Sequence, residues 1–302
     1  MVASTCPSAP LITVFGSTGN QGGSVIDHLI SSSKPYRIRA VTRDSSKPLA
    51  RKLEETGCEV IQAELGNKDQ VEHAVKGAEI VFTYIWSGTE SVSKVSRGQY
   101  TKVEHFDTKA QLTDLARSEG LPVITVSAAM YMENFLGMMA PRKQEDGTYV
   151  FALPIPPTTI LHLIHTRRDY GAYVLGALES GKVDALKGEV LACAEEIAVE
   201  DVAKQWGEET PLALLNRECV RRGSLRSFET VNNVKTLFFQ LPVEQFQAQA
   251  GDDLTQMFQW FQDFGYYGGK DIAPSQEVLR PDVKVDKWRD FVKRSDWSKV
   301  LN

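Results

Sequence analysis

The sequence has little of what marks a secreted, zinc-binding or nucleic-acid-binding protein. Only four cysteines occur among 302 residues, they are far apart, and no two of them form a C-x-x-C pair. This spacing argues against a disulfide framework or a zinc site and is typical of a reducing compartment. Basic residues number 34 against 39 acidic ones, a net charge of −5. The basic surface that direct nucleic-acid binding requires is therefore not predicted.

Long hydrophobic runs are also missing. The first apolar run covers only residues 11–15, and the segment before it contains no basic residue. Neither a signal peptide nor a membrane-spanning helix is predicted from such a short run. No G-x-S-x-G motif occurs, so nothing indicates a nucleophilic serine. We expect a cytoplasmic protein that does not bind membranes.

Apolar segments and helical patterns alternate through the first 130 residues. Strands are predicted at 11–15, 36–42, 59–62, 80–84 and 123–126, with helices between them. Alternation at this spacing implies right-handed crossovers and a parallel sheet with helices on both faces. We therefore predict an α/β fold with a Rossmann-like, doubly wound parallel sheet in residues 1–128, on which residues 160–180 pack.

The second half of the sequence has a looser pattern. Proline and Asp146-Gly147 predict loops and a hairpin in residues 141–160. Helices are predicted at about 170–179, 200–207, 244–264 and 287–294. We expect residues 129–302 to form a smaller, mixed α/β region that binds the substrate.

A glycine-rich turn directly follows the first predicted strand and opens a helix. It reads Gly16-Ser17-Thr18-Gly19-Asn20-Gln21-Gly22. A dinucleotide pyrophosphate needs a close backbone approach and a helix N-terminus, and glycine permits both because it has no Cβ. The G-x-x-G-x-x-G spacing in this context predicts a dinucleotide site, although a tight turn without a ligand is the alternative.

Basic residues follow the second predicted strand, where NAD-binding proteins usually have an acidic residue for the ribose hydroxyl. Arg43 and Lys47 offer a planar charged fork and a second cation to a 2′-phosphate. This favours NADP(H) over NAD(H), while Asp44 keeps NAD(H) possible. The alternative is that both cations are merely solvated surface charges.

With these features the sequence resembles the NmrA-like family of atypical short-chain dehydrogenases. The resemblance covers most of the chain and rests on several motifs in the family's order. They are Phe15-Gly16-Ser17-Thr18-Gly19-Asn20-Gln21-Gly22-Gly23, Val81-Phe82-Thr83-Tyr84-Ile85-Trp86, His105-Phe106-Asp107-Thr108-Lys109, Tyr131-Met132-Glu133-Asn134-Phe135 and Gly265-Tyr266-Tyr267-Gly268-Gly269.

The resemblance implies a set of cofactor-binding residues. It places the glycine turn, Arg43 with Lys47, and Thr83 with Tyr84 in contact with the dinucleotide. It implies that Glu64 and Leu65 flank the adenine. Tyr131, Met132, Glu133 and Asn134 would then lie near the nicotinamide and the substrate.

The catalytic pair of ordinary short-chain dehydrogenases, Tyr-x-x-x-Lys on a helix, reads His105-x-x-x-Lys109 here. The i, i+4 spacing places both side chains on one helix face. His105 titrates near neutrality and could act as an acid, or it could be a structural remnant. By resemblance Lys109 holds the nicotinamide ribose; the alternative is an exposed helical lysine.

The sequence departs from the family in three places. Relatives carry one further helix–strand unit, about 30 residues long, whose strand bears the catalytic serine. From the short distance between Arg97 and His105, we expect that unit to be missing there. Ser127-Ala128 also replaces the family's Arg-Pro, and residues 218–235 do not resemble the family.

Two other groups of residues lead to weaker expectations. His162 and His165 have a spacing that suits metal ligation on a helix, but no cluster of acidic residues or cysteines lies nearby in sequence, so no metal is predicted. The apolar residues between Met257 and Phe264 fit a helix face in the core.

Two functions remain open from the sequence. The first is an NADP(H)-dependent oxidoreductase acting on a small organic substrate, which the fungal members of the family suggest to be a step in secondary metabolism. The second is a non-catalytic NADP(H)-binding redox sensor that engages a protein partner, in which case a nuclear location is possible. The missing tyrosine and serine favour the sensor.

Overall fold

The computed structural model describes residues 2–82, 88–210 and 235–301. The strands in these ranges are β1 Leu11–Phe15, β2 Arg37–Thr42, β3 Glu59–Gln62, β4 Ile80–Phe82, β5 Thr125–Ala128, β6 Met130–Tyr131, β7 Arg142–Lys143, β8 Tyr149–Leu153, β9 Ile160–Ile164, β10 Glu189–Ala192, β11 Glu195–Ala198 and β12 Thr236–Gln240. The helices are α1 Asn20–Ile30, α2 Pro48–Glu55, α3 Lys68–Val75, α4 Val92–Val95, α5 Glu104–Ser118, α6 Thr166–Glu179, α7 Val199–Glu209, α8 Val243–Phe264, α9 Ala273–Gln276, α10 Trp288–Arg294 and α11 Ser298–Leu301.

The first four strands form a parallel sheet in the order β3-β2-β1-β4. Val14 of β1 lies between Ala40 of β2 and Phe82 of β4. Every residue of β1 is buried because helices cover both faces of the sheet. The predicted α/β fold with a Rossmann-like parallel sheet is confirmed.

Helices α1 and α3 cover opposite faces of this sheet. Val25, Ile26 and Leu29 of α1 pack into the larger core beneath one face. Ala74 of α3 packs with Phe15 in a smaller core on the other face. The helices that connect the parallel strands therefore lie on both faces of the sheet, as the alternation of strands and helices predicts.

Helix α6 lies tightly against α1. A Cβ added to Gly171 would lie 2.2 Å from the carbonyl oxygen of Ser24, so only glycine permits this approach. The amide of Gly171 also donates to Ser24 Oγ at 2.9 Å. This contact brings the middle of the sequence back onto the amino-terminal sheet.

The remaining strands form three small sheets. Strand β5 pairs in parallel with β10, β9 lies between β11 and β6, and β8 lies between β12 and β7. Strands β7 and β8 form the predicted hairpin, in which Gly147 has φ +82° and Asp146 accepts the Thr148 amide.

Two predicted elements are displaced in the structure. The strand expected at 123–126 begins at Thr125, because that residue is the first to pair with β10. Helix α6 begins four residues before the predicted position 170, at Thr166. Helix α8 has the predicted length but is kinked at Gly251, which has φ +81°. Among the described helices, none has the length and hydropathy needed to cross a membrane.

Candidate functional site

A cavity of about 720 Å³ opens at the carboxyl ends of the parallel strands. This edge of a doubly wound sheet is where ligands bind. Its described lining consists of Phe15, Gly16, Thr18, Gly19, Asn20, Gln21, Gly22, Val41, Thr42, Arg43, Ala63, Leu65, Phe82 and Tyr131. Six of the seven residues of the glycine motif are thus brought together with residues from four strands.

The glycine turn allows very close backbone contacts. Gly16 has φ +61°, a conformation that side chains disfavour. A Cβ at Gly22 would lie 2.4 Å from the carbonyl oxygen of Gly16, and one at Gly19 would lie 3.2 Å from it. The turn therefore depends on glycine at these positions.

The amino terminus of α1 is open to an anion. The first backbone N–H groups of a helix have no partner within the helix, and the N-cap residue Gly19 has no side chain to bond those of α1. Gln21 Nε2 is buried and has no hydrogen-bond partner among the described residues. These unpartnered donors and the positive end of the helix dipole suit a pyrophosphate.

Ser17 fixes the turn instead of facing the cavity. Its amide and its hydroxyl both donate to the carbonyl oxygen of Val41, at 3.1 Å and 2.9 Å. Thr18 Oγ1 lies 3.4 Å from Thr42 Oγ1. The glycine turn is thereby held against the end of β2.

Of the two basic residues after β2, only Arg43 belongs to the described lining of the cavity. Arg43 is exposed and lines the cavity, and no ion pair engages it within the described residues. Asp44 Oδ1 accepts from the amide and the hydroxyl of Ser46, at 2.9 Å and 2.6 Å, and these bonds lower the pKa of Asp44. Lys47 is exposed, precedes α2 and does not belong to the described lining.

Of the two residues expected at the adenine, one lines the cavity and the other does not. Leu65 lines the cavity and is 53% exposed. Glu64 is outside the described lining, and its amide donates to Gln70 Oε1 at 2.9 Å. Thr83 and Tyr84 lie outside the described residues.

The segment from Tyr131 to Asn134 divides between the cavity and the protein interior. Tyr131 lines the cavity, whereas Met132 is fully buried. Glu133 accepts from the amides of Thr166 and Arg167, at 3.2 Å and 2.7 Å, and so caps α6. The carbonyl oxygen of Asn134 accepts from later turn residues.

The sequence reasoning did not identify Phe15, Val41, Ala63 and Phe82 as lining residues. Phe15 and Phe82 end their strands, Val41 stands next to last in β2, and Ala63 follows β3. The signal that could have found them is their place at or near the carboxyl ends of parallel strands, where such a cavity forms.

His105 and Lys109 lie near the start of α5. His105 is exposed, and its Nδ1 lies 2.7 Å from Asp253 Oδ1 on α8. Lys109 is half-buried, and burial lowers its pKa. Neither belongs to the described lining of the cavity.

The two later histidines have separate partners. His162 is on β9, not on a helix, and lies 2.9 Å from Glu196. His165 lies 3.0 Å from Asp286, close to Asp169. Arg168 pairs with both of these carboxylates, and Arg294 pairs with Asp286. These arginines already supply positive charge to a cluster that could otherwise hold a cation.

The model of the NmrA-like family matches residues 8–85 and 83–293. The two matched segments overlap at residues 83–85 and together cover most of the chain. The predicted absence of a helix–strand unit between Arg97 and His105 stays a prediction. In the structure Gly88 lies close to β5, since a Cβ at this glycine would lie 2.9 Å from Thr125 Cβ.

Curated relatives match over parts of their length. The NmrA-like family domain-containing oxidoreductase ptmS of Penicillium ochrochloron is 26% identical over 163 residues, 42% of this chain and 48% of the relative. The oxidoreductase cpsB of Aspergillus campestris is 44% identical over 80 residues, 26% of this chain and 23% of the relative. The matches thus span about half or less of these relatives.

Solved structures match over nearly the whole chain. NmrA, a negative transcriptional regulator, has a TM-score of 0.69 in complex with NADP and in complex with NAD, at 16% identity and 95% coverage of both chains. An NADPH-dependent quinone oxidoreductase of Escherichia coli has a TM-score of 0.59 at 19% identity, covering 93% of this chain and 98% of its own. These similarities show the shared fold, and the bound ligands support a nicotinamide dinucleotide as the ligand class.

Proposed function

This chain belongs to the NmrA-like family, and from that premise we propose that it is an NADP(H)-dependent oxidoreductase acting on a small organic substrate. The observation that carries the proposal is the cavity in which the glycine turn, the open start of α1 and Arg43 meet. Relatives named as oxidoreductases support the chemical class.

The residues present fit such a cofactor. Gly16, Gly19 and Gly22 with the start of α1 would hold the pyrophosphate, and Gln21 Nε2 has an unused donor beside it. Arg43, supported by Lys47, would bind the 2′-phosphate, because Asp44 is committed to Ser46. The bound dinucleotide supplies hydride-transfer chemistry, whereas the protein supplies orientation and charge.

We assign the remaining roles from the fold and, for Lys109, from the family motif. Residues 1–128 would bind the cofactor, and residues 129–302 would hold the substrate over the nicotinamide. Lys109 would position the ribose. His105 would be a structural residue of the α5–α8 contact, since its ring faces Asp253. The fungal relatives suggest a place in secondary metabolism.

The test measures cofactor binding and turnover separately. Isothermal titration should give tighter binding of NADPH than of NADH, and a panel of carbonyl compounds should oxidise NADPH. Lys109→Met should lower turnover at least tenfold, whereas Lys52→Met on the exposed face of α2 should not change it. Equal binding of both cofactors would contradict NADP(H) preference, and absence of NADPH oxidation would contradict an enzyme.

The alternative is a redox sensor that binds NADP(H) and engages a protein partner. Two observations favour it: the motif histidine His105 is paired with Asp253, and NmrA, a negative transcriptional regulator, shares the fold. Tight NADPH binding without turnover of any substrate would decide for this function.

A further inference from the structure

Tyr131 and Arg43 line the same cavity from different parts of the fold. The sheet order β3-β2-β1-β4 puts Arg43 and Leu65 beside β2 and β3, and Phe82 at the end of β4. Tyr131 reaches the cavity from β6, which belongs to a separate small sheet. With the 2′-phosphate at Arg43 and the pyrophosphate at the glycine turn, the nicotinamide would lie on the β4 side of the cavity, toward Phe82.

The backbone of β6 fixes the direction of the Tyr131 side chain. Tyr131 is aligned with Ile164 of β9, and Met130, its neighbour in β6, is 6% exposed. Successive side chains of a strand point to opposite faces. Met130 packs into the core that contains Phe135 and Trp288, so Tyr131 lies on the opposite face of β6, where it lines the cavity.

Two other tyrosines, Tyr170 and Tyr267, are buried and bond the backbone of β5. Tyr170 donates its hydroxyl to the carbonyl oxygen of Val126 at 2.8 Å, and Tyr267 donates to that of Ser127 at 3.1 Å. Both rings are buried, and burial raises the pKa of each hydroxyl. These tyrosines anchor β5, whereas Tyr131 is half-exposed at the cavity wall.

Arg43 and Tyr131 are the two ionisable side chains among the described residues that line the cavity. Arginine remains charged and is a poor acid at neutral pH. A carbonyl that accepts a hydride also needs a proton on its oxygen, which a positioned tyrosine can give. His105, the acid suggested by the sequence motif, faces Asp253 outside this lining.

We propose that Tyr131 is the proton donor for reduction of a carbonyl substrate, an inference that rests on the oxidoreductase function proposed above. Tyr131 releases its phenolic proton to the carbonyl oxygen while the carbonyl carbon accepts a hydride from the dihydronicotinamide. The carbonyl becomes an alcohol, the nicotinamide is oxidised, and solvent returns a proton to the phenolate. The substrate class is therefore aldehydes and ketones.

The first experiment locates Tyr131 relative to the nicotinamide without using turnover. 3-Fluorotyrosine is placed at position 131 or, as a control, at the remote Tyr36, and its ¹⁹F resonance is followed. NADP⁺ should shift the resonance at 131, whereas adenosine 2′,5′-bisphosphate, which lacks the nicotinamide, should not. Neither ligand should shift the resonance at 36. No shift at 131, or equal shifts with both ligands, would overturn the proposal.

The second experiment measures the proton-transfer role. Tyr131→Phe should lower kcat for carbonyl reduction at least about a hundredfold, with NADPH affinity and KM within about threefold. Tyr36→Phe, which removes a hydroxyl bonded to Glu179, should retain kcat. If Tyr131→Phe keeps its kcat, or if Tyr84→Phe loses kcat instead, Tyr131 is not the proton donor. The proposed oxidoreductase function is unaffected by either result. A wild type that binds NADPH but reduces no carbonyl overturns both proposals.

Discussion

The two largest hydrophobic cores among the described residues differ in composition. The core under the parallel sheet is largely aliphatic, with Val14, Val25 and Ile26 among its buried residues. The core of the second region is aromatic, and its fully buried side chains include four tryptophans, which are Trp206, Trp260, Trp288 and Trp297. The first core is built mainly from the parallel sheet, α1 and α6, whereas the second joins segments from α4 to the last helix. The candidate cavity borders the first core at Phe82 and the small core on the other face of the sheet at Phe15, Val41 and Ala63.

The largest expected effect is on stability, and it tests whether the aromatic core stabilises the fold without contributing to NADPH binding. Trp206 is fully buried between Tyr149, Phe151 and Trp297. Trp206→Ala should lower the free energy of unfolding by about 3–5 kcal/mol because it leaves a large cavity. NADPH affinity of the folded protein should change less than about threefold.

Urea denaturation and titration of NADPH provide the two measurements. Trp206→Phe is the matched control, because it keeps an aromatic ring, and the indole N–H has no partner among the described residues. We expect it to lose less than half as much stability. If Trp206→Ala lost as much free energy of NADPH binding as free energy of unfolding, the aromatic core would contribute to cofactor binding as well as to stability.

In the second prediction the measurement expected to change is NADPH affinity, and not the free energy of unfolding. Gly22→Ala places a Cβ within 2.4 Å of the Gly16 carbonyl oxygen, so the glycine turn must move away from the pyrophosphate position. NADPH affinity should fall at least about a hundredfold, the equivalent of about 3 kcal/mol. Gly66→Ala, where a Cβ would meet open space, should have no comparable effect. Equal affinities of the two variants would contradict the placement of the pyrophosphate.

The difference between the cores also explains what the sequence could predict. The strands and helices of the first core follow one another, so local periodicity and the glycine turn are sufficient signals. Phe15 and Phe82 follow from the same logic, because carboxyl ends of parallel strands share one edge. The absence of a helix–strand unit between Arg97 and His105 rests on the spacing of the family's motifs and not on local pattern, and it stays a prediction.

The second region could be predicted only in outline, because its contacts join residues distant in sequence. Glu133 caps a helix that begins 33 residues later, and His105 pairs with Asp253. The motif that contains Tyr131 does not show that Met132 turns inward. Such assignments require a folded chain, since no local spacing determines them.

The third prediction concerns the pH dependence of stability and rests on Asp169, which connects α6 to the segment before α10. This residue lies on α6, which packs on α1, and its Oδ2 accepts the amide of Asp286 just before α10. Burial raises the pKa of Asp169 to about 6. That value is above about 3.9 in an unfolded chain. The folded state therefore binds this proton more tightly, and its contribution to stability, complete below about pH 4, is lost as pH rises through 6.

Asp169→Asn removes this titration but keeps an acceptor for the Asp286 amide. Relative to the wild type, its free energy of unfolding should rise by about 2–3 kcal/mol between pH 4 and pH 7. Denaturation curves across that range provide the measurement, with the exposed Asp282→Asn as the control. A pH-independent difference between variant and wild type would mean that Arg168 keeps Asp169 ionised throughout.

The smallest expected effect concerns the selectivity of the cavity in the first region. Arg43→Ala should weaken NADPH binding about ten- to a hundredfold, because a charge-assisted contact to the 2′-phosphate contributes about 1.5–3 kcal/mol. NADH binding should stay within about twofold, since NADH lacks that phosphate. Arg51→Ala, an exposed arginine of α2, is the matched control for general charge. If both arginine variants weakened NADPH equally, selectivity would come from the surface charge of this edge and not from Arg43.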